Sequence, residues 1–177
     1  PESGELVQGV ENILYVVCAY PDGTPSEVKL QLAGAGGQSV ETSELGIAKV
    51  KITPRKQDLN LTVKASDPAG LQATEVSPLR VGQQPAGLLL RTDRAVYAQG
   101  ISARLSVFSS SPARRVFVDV VKNSRSAMTT SLELDAGAGE LALDLPVDLA
   151  GTLTLQAYAI LEDGNLVRDT KLIHVHR

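Results

Sequence analysis

Apolar residues in this chain come in short runs that alternate with polar ones, and few of them recur at helical spacing. "NILYVVCAY", "EVKLQLAG", "IAKVKITP", "LNLTVKAS", "RLSVFSS", "RRVFVDVV", "ELALDLP" and "TLTLQAYAIL" follow one another, punctuated by Gly, Pro, Asp and Asn. This pattern predicts half-buried strands, and many short strands at regular spacing predict an all-β sandwich. "TLTLQAYAIL" shows the alternation: Leu153, Leu155, Ala157 and Ala159 are expected to face inward, and Thr154, Gln156 and Tyr158 outward.

The pattern also repeats. "QGVENILYVV" from Gln8 matches "QGISARLSVF" from Gln99, and "GIAKVKITP" ending at Pro54 matches "GELALDLP" ending at Pro146. "LNLTVKASDPAG" matches "LTLQAYAILEDG", and "TEVSPLRV" ending at Val81 matches "RDTKLIHV" ending at Val175. Four blocks in one order at nearly one offset predict two copies of a single β-domain. The expected bounds are 1–82 and 88–177. "VGQQPAG" (Val81 to Gly87) has no apolar pattern, so residues 83–87 read as the linker.

The copies differ at their starts. "LLLRTDRAVYAQG" supplies a strand and a turn ahead of Gly100, whereas only "PESGELVQG" leads up to Gly9. The first domain is therefore expected to have an incomplete N-terminal edge, without a regular strand paired through residues 1 to 7. The chain opens on Pro1, and its one Met is Met128, which suggests a piece of something longer.

Composition narrows the function classes. Hydrophobic residues at 43% and charged residues at 21% suit a folded core rather than a disordered chain. A net charge of −3 disfavours nucleic acid as a partner, because phosphate binding needs a basic face. No apolar run approaches the ~20 residues of a spanning helix, so no membrane insertion by this segment is expected. The lone Cys18 allows no internal disulfide and lies in the apolar run "ILYVVCAY", where an inert buried thiol is expected.

Candidate chemistry is sparse. His174 and His176 alternate on one strand face at the chain's end, with no third ligand near them in sequence. Asp144 and Asp148 flank Pro146 in a predicted turn, and "GAGG" (Gly34 to Gly37) lies between strand runs rather than opening a helix. Asp93 and Asp163 fall in turns but in no calcium-loop spacing. Asn60-Leu61-Thr62 fits a glycosylation sequon, which counts only in a eukaryotic secretory protein. Asp163-Gly164 is the turn signal of a terminal hairpin, aligned with Pro68-Ala69-Gly70 of the first copy. We therefore expect no catalytic, cofactor-binding or metal-binding residues, no cofactor, and no enzyme activity.

These residues resemble a known superfamily. "LLLRTDRAVYAQG" resembles the "T-D-+-x-x-Y-x-x-G" opening of macroglobulin-like domains of the alpha-2-macroglobulin and complement superfamily. "GTLTLQAYAILEDGNLVRDTKLIHV" resembles the end of the domain ahead of the bait region, with the pattern falling on Leu155, Tyr158, Gly164, Asp169 and Val175. In the first copy, a "DG-x-P" turn falls on Asp22, Gly23 and Pro25, and a "T-x-x-x-G-x-A" hairpin on Thr42, Gly46 and Ala48.

The resemblance implies two tandem fibronectin-III/immunoglobulin-like (macroglobulin-like) β-sandwich domains, about the fourth and fifth of such a protein. It implies structural wall domains of a protease-trapping inhibitor located outside the cell, in the periplasm or at the cell surface. Partners would be the neighbouring domains of the parent chain, and target proteases through the full-length protein. Cys18 is followed by Ala19-Tyr20-Pro21, so it does not match the family's Cys-Gly-Glu-Gln thioester. The single Cys points to a bacterial or archaeal member. Tandem fibronectin- or immunoglobulin-like modules of an adhesin or wall-associated protein share the fold and are the alternative.

Overall fold

The computed structural model describes residues 1–34, 36–82 and 86–177. Ala35 of the "GAGG" loop, and Gln83, Gln84 and Pro85 of the expected linker, lie outside the described residues. The chain divides into two compact units, Pro1–Gln83 and Gln84–Arg177. Both are built from β-strands. The described helical structure is one 3₁₀ turn at Val147–Leu149, and no helix is long and apolar enough to cross a membrane.

In the first unit the strands are β1 (Asn12–Val17), β2 (Lys29–Ala33), β3 (Gln38–Glu41), β4 (Ile47–Ile52), β5 (Asp58–Ser66) and β6 (Gln72–Arg80). They form two antiparallel sheets, β1-β4 and β3-β2-β5-β6. The core between them contains Leu14, Leu30, Leu32, Val50, Ile52 and Leu61. β4 is the plainest case of sequence dictating structure. Ala48, Val50 and Ile52 are buried, while Ile47, Lys49 and Lys51 between them are exposed, as a strand with one wet face requires.

The second unit has β7 (Leu88–Thr92), β8 (Val96–Ala98), β9 (Ala103–Ser109), β10 (Arg115–Lys122), β11 (Arg125–Glu133), β12 (Ala138–Leu143), β13 (Gly151–Ile160) and β14 (Leu166–His176). Its sheets run β12-β9-β7 and β11-β10-β13-β14-β8, antiparallel except where β8 pairs β14 in parallel. Leu153, Leu155, Ala157 and Ala159 of β13 are fully buried, and Thr154, Gln156 and Tyr158 alternate with them. This sandwich of Leu, Val and Ala contains one large aromatic in its core, Tyr97.

The two units share one strand plan. Asn12 pairs Ile52 across β1 and β4 as Ala103 pairs Leu143 across β9 and β12. Leu59 faces Leu79 in the terminal hairpin of the first unit as Leu153 faces Ile173 in the second. Even a surface ion pair recurs: Lys29 to Glu41 at 3.7 Å across β2 and β3, Arg115 to Glu133 at 3.0 Å across β10 and β11. The Leu6–Val81 parallel bridge stands where Tyr97 pairs Val175.

The plans differ most at their starts. Among the described residues the first unit's smaller sheet has two strands, and its residues 1 to 7 form no regular strand, contributing the Leu6–Val81 bridge and the hydrogen bonds between Glu2 and Ile13. Among the described residues no strand occupies the position that β7 holds beside β9.

One expectation needs correction. Thr42, Gly46 and Ala48 do not form a hairpin. β3 and β4 belong to opposite sheets, so this segment is a crossing from one sheet to the other. The buried Thr42 ties the crossing down: its hydroxyl accepts from the Val28 N–H at 2.8 Å and donates to the Ser26 carbonyl at 2.7 Å. Likewise Asp22-Gly23 is a tight turn inside the β1-to-β2 crossing. Tyr20 N–H bonds the Thr24 carbonyl, and Thr24 N–H bonds Asp22 Oδ1.

Candidate functional site

One polar constellation lies where the second unit closes. β7 ends at Thr92, so Asp93 is the first residue of the turn that leads to β8. Its Oδ1 accepts the Tyr97 hydroxyl at 2.6 Å and the Arg104 N–H at 3.0 Å. The Asp93 N–H in turn bonds the Arg104 carbonyl at 3.1 Å, and the Tyr97 oxygen accepts the Arg94 N–H at 3.2 Å. One carboxylate thus joins the ends of β7, β8 and β9. The chemistry is reciprocal. Burial, and then the bond to Asp93, push the Tyr97 phenol up to about 12. The Tyr97 hydroxyl, above all, holds the Asp93 carboxyl below the usual carboxylate range. A neutral phenol donating to a fixed carboxylate locks the turn onto the strands it joins. Asp93 and Tyr97, both positions of the resembling opening pattern, meet here across a spacing of four residues.

Residues of the resembling terminal pattern also serve closure. Asp169 of β14 reaches across to β7, its Oδ2 accepting the Leu90 N–H at 2.8 Å. Leu155 and Val175 are core residues, Gly164 takes the left-handed turn conformation, and Tyr158 stacks on Phe117 with ring centroids 5.5 Å apart. Asp163 accepts the Asn165 N–H at 3.0 Å and the Asn165 amide at 2.8 Å, bonds that lower its carboxyl and shape the β13–β14 turn.

The remaining candidates are not brought together. His174 is exposed and lies 3.3 Å from the Thr152 hydroxyl, while His176 bonds the Arg177 carbonyl. No group of three His, Cys, Asp or Glu able to hold a metal occurs among the described residues. Asp144 accepts from Ser102 at 2.5 Å, and the Asp148 carbonyl accepts from Lys122 at 2.7 Å, so each has its own structural partner. Gly34, Gly36 and Gly37 have positive φ in a loop between β2 and β3. Asn60 is exposed on β5, paired to Pro78.

A long apolar groove opens the first unit, with a volume of about 860 Å³. Val16, Cys18, Val63, Ala65 and Leu79 line it, together with Glu75 and Pro1. Cys18 is therefore half-buried rather than sealed in the core, and burial raises its thiol above its ordinary value. Sequence reading noted the missing counterpart of "LLL" at Leu88 to Leu90 but named neither the groove nor the residues that line it.

No family model matches this chain, and no curated protein matches it. Solved structures do. Dimeric latent PorU from Porphyromonas gingivalis aligns over 98% of this chain and 19% of its own, with TM-score 0.59 and 14% identity. A tetra-tandem repeat from the extending region of a large adhesion protein aligns over 94% of this chain and 49% of its own, with TM-score 0.45 and 16% identity. Native E. coli alpha-2-macroglobulin aligns over 97% of this chain and 15% of its own, with TM-score 0.45 and 11% identity. The chain thus spans about half the length of the adhesion-protein repeat and under a fifth of the other two. At such identities the likeness is one of fold: this is an all-β chain of fibronectin- and immunoglobulin-like sandwiches.

Proposed function

We propose that the chain is a non-catalytic scaffold, two sandwich modules of a larger alpha-2-macroglobulin-like protein that traps proteases outside the cell, in the periplasm or at the cell surface. The Asp93–Tyr97 lock carries this reading. The residues that bear the resemblance direct their polar atoms into closing a sandwich, and the strongly shifted phenol serves that closure. Its partners would be neighbouring modules of the parent chain, with target proteases engaged only through the full-length protein.

The test is to incubate the chain with a protease panel and follow cleavage of a large protein substrate and of a short peptide. A scaffold leaves both rates unchanged; inhibition by these residues alone would overturn the reading, as would turnover in a hydrolase screen. The same fold serves as a spacer in surface adhesins. A Cys-Gly-Glu-Gln motif or a protease-labile insertion in the parent protein supports the trap, and a wall anchor in its place supports the spacer.

A further inference from the structure

The groove in the first unit has an occupied counterpart in the second. There β7 lies against β9 on one side and against β13 and β14 on the other, burying Leu88, Leu89 and Leu90. Val107, Ala157 and Ala159 beneath it are sealed from solvent, and Ile173 nearly so. In the first unit their counterparts Val16, Val63, Ala65 and Leu79 are only half-buried and line the open groove.

The first residues of the chain already begin the same pairing. Glu2 N–H bonds the Ile13 carbonyl at 2.9 Å, as Asp93 N–H bonds Arg104, and the Glu2 carboxylate accepts the Ile13 N–H at 2.7 Å, as Asp93 accepts that of Arg104. Pro1 thus stands where Thr92 ends β7. Since Ile13 turns its polar groups away from β4, Tyr15 and Val17, at alternate positions along β1, turn theirs toward the same open edge. Glu75 occupies the place of Asp169, which accepts the Leu90 N–H.

We propose that this groove is a strand-acceptor site, filled by an extended apolar segment of the same polypeptide that runs antiparallel to β1 and directly into Pro1. The occupant is of β7 type: five residues, apolar at the first three, with its third N–H offered to Glu75. Its source follows from continuity. The Glu2–Ile13 pairing sets both the polarity and the register of the strand, and delivers its last residue to Pro1. Strand addition of this kind draws affinity from main-chain bonds and selectivity from the alternate pockets. The proposal stands independently of the scaffold reading, since it concerns what completes the first sandwich.

The experiment compares the 177-residue chain with two N-terminal extensions, Leu-Leu-Leu-Arg-Thr and the same segment with aspartate at its first and third positions. Cys18, the sole cysteine, lies at the groove and reports by its rate of labelling with a thiol reagent. Amide exchange at Tyr15 and Val17 reports the ladder. The apolar extension is expected to slow labelling and both exchanges by at least about tenfold in a monomer, and the aspartate extension to leave them unchanged. Glu75→Ala in the extended chain is expected to weaken that protection without altering the unextended chain. Equal effects of both extensions, or no effect of the apolar one, would overturn the proposal. So would an unextended dimer whose Tyr15 and Val17 amides are already protected, which would make a second copy the occupant. Equal protection by a free Leu-Leu-Leu-Arg-Thr peptide at equimolar concentration would likewise overturn the same-chain source.

Discussion

Tyr97 and Asp93 are joined by a 2.6 Å hydrogen bond from the phenol to carboxylate Oδ1, and the same oxygen receives the Arg104 N–H. The phenol ring is buried while the carboxylate reaches the surface, so this bond links the core of the second sandwich to the turn that closes it. In the first unit Leu6 and Glu2 stand in these two places. The carboxylate still grips the β1 backbone, but the buried hydroxyl is absent, so the lock is specific to the second unit.

Tyr97→Phe keeps the ring and deletes this bond. Loss of a hydrogen bond to a charged acceptor should cost the second unit about 1.5–3 kcal/mol. Urea denaturation followed by a probe in each unit checks this: the midpoint of the second unit should fall while that of the first stays in place.

The same pair sets an alkaline limit. Tyr97 is raised from 10.0 to about 12 in the folded state, so its contribution is complete below pH 10 and is lost progressively as pH rises through about 12. Absorbance titration near 295 nm should show a step near pH 12 that Tyr97→Phe removes. Asp93 is depressed, so its contribution is present above the ordinary aspartate value and lost as pH falls through the folded one. Asp93→Asn should therefore flatten the acid side of the stability profile of the second unit.

Gly46 and Gly137 are equivalent crossing residues, with φ of +69° and +81°. An added Cβ would come within 2.2 Å of the Cys18 carbonyl oxygen at Gly46 and within 2.7 Å of that of Ser109 at Gly137. Backbone oxygens cannot step aside as a flexible side chain can. Gly46→Ala and Gly137→Ala should each destabilise their own unit by more than about 1 kcal/mol, and the calorimetric transition that moves should differ between them.

Thr42 and Lys29 separate a buried anchor from a surface contact. Thr42→Val preserves shape but strands the Val28 N–H and the Ser26 carbonyl, at a cost of about 1–3 kcal/mol. Lys29→Ala removes an exposed ion pair and should change stability by no more than about 0.5 kcal/mol. A Lys29→Ala effect as large as that of Thr42→Val in the same denaturation assay would contradict this ranking.

Legibility followed the range of the interaction. The β13–β14 hairpin could be read directly, because Leu153, Leu155, Ala157 and Ala159 alternate and Asp163-Gly164 signals the turn within the same stretch. The crossing at Thr42 to Ala48 could not, because a local pattern of turn residues looks alike whether the next strand stays in its sheet or leaves it. Nor could Asn12, whose side chain is buried and bonds Val7 and Val10 where its counterpart is the apolar Ala103.

By itself the amino-acid sequence determined which segments are strands, which faces of them turn inward, and that one strand plan occurs twice. Those properties depend on the polarity of neighbouring residues, and alternation along an extended chain carries them without outside help. Only the tertiary structure decided which sheet each strand joins, that Asp93 meets Tyr97 and Arg104 on one oxygen, and that Cys18 faces an open groove while its counterpart Ser109 is buried. These depend on ladders between residues far apart in sequence, and a strand's inward face is buried only when another element covers it.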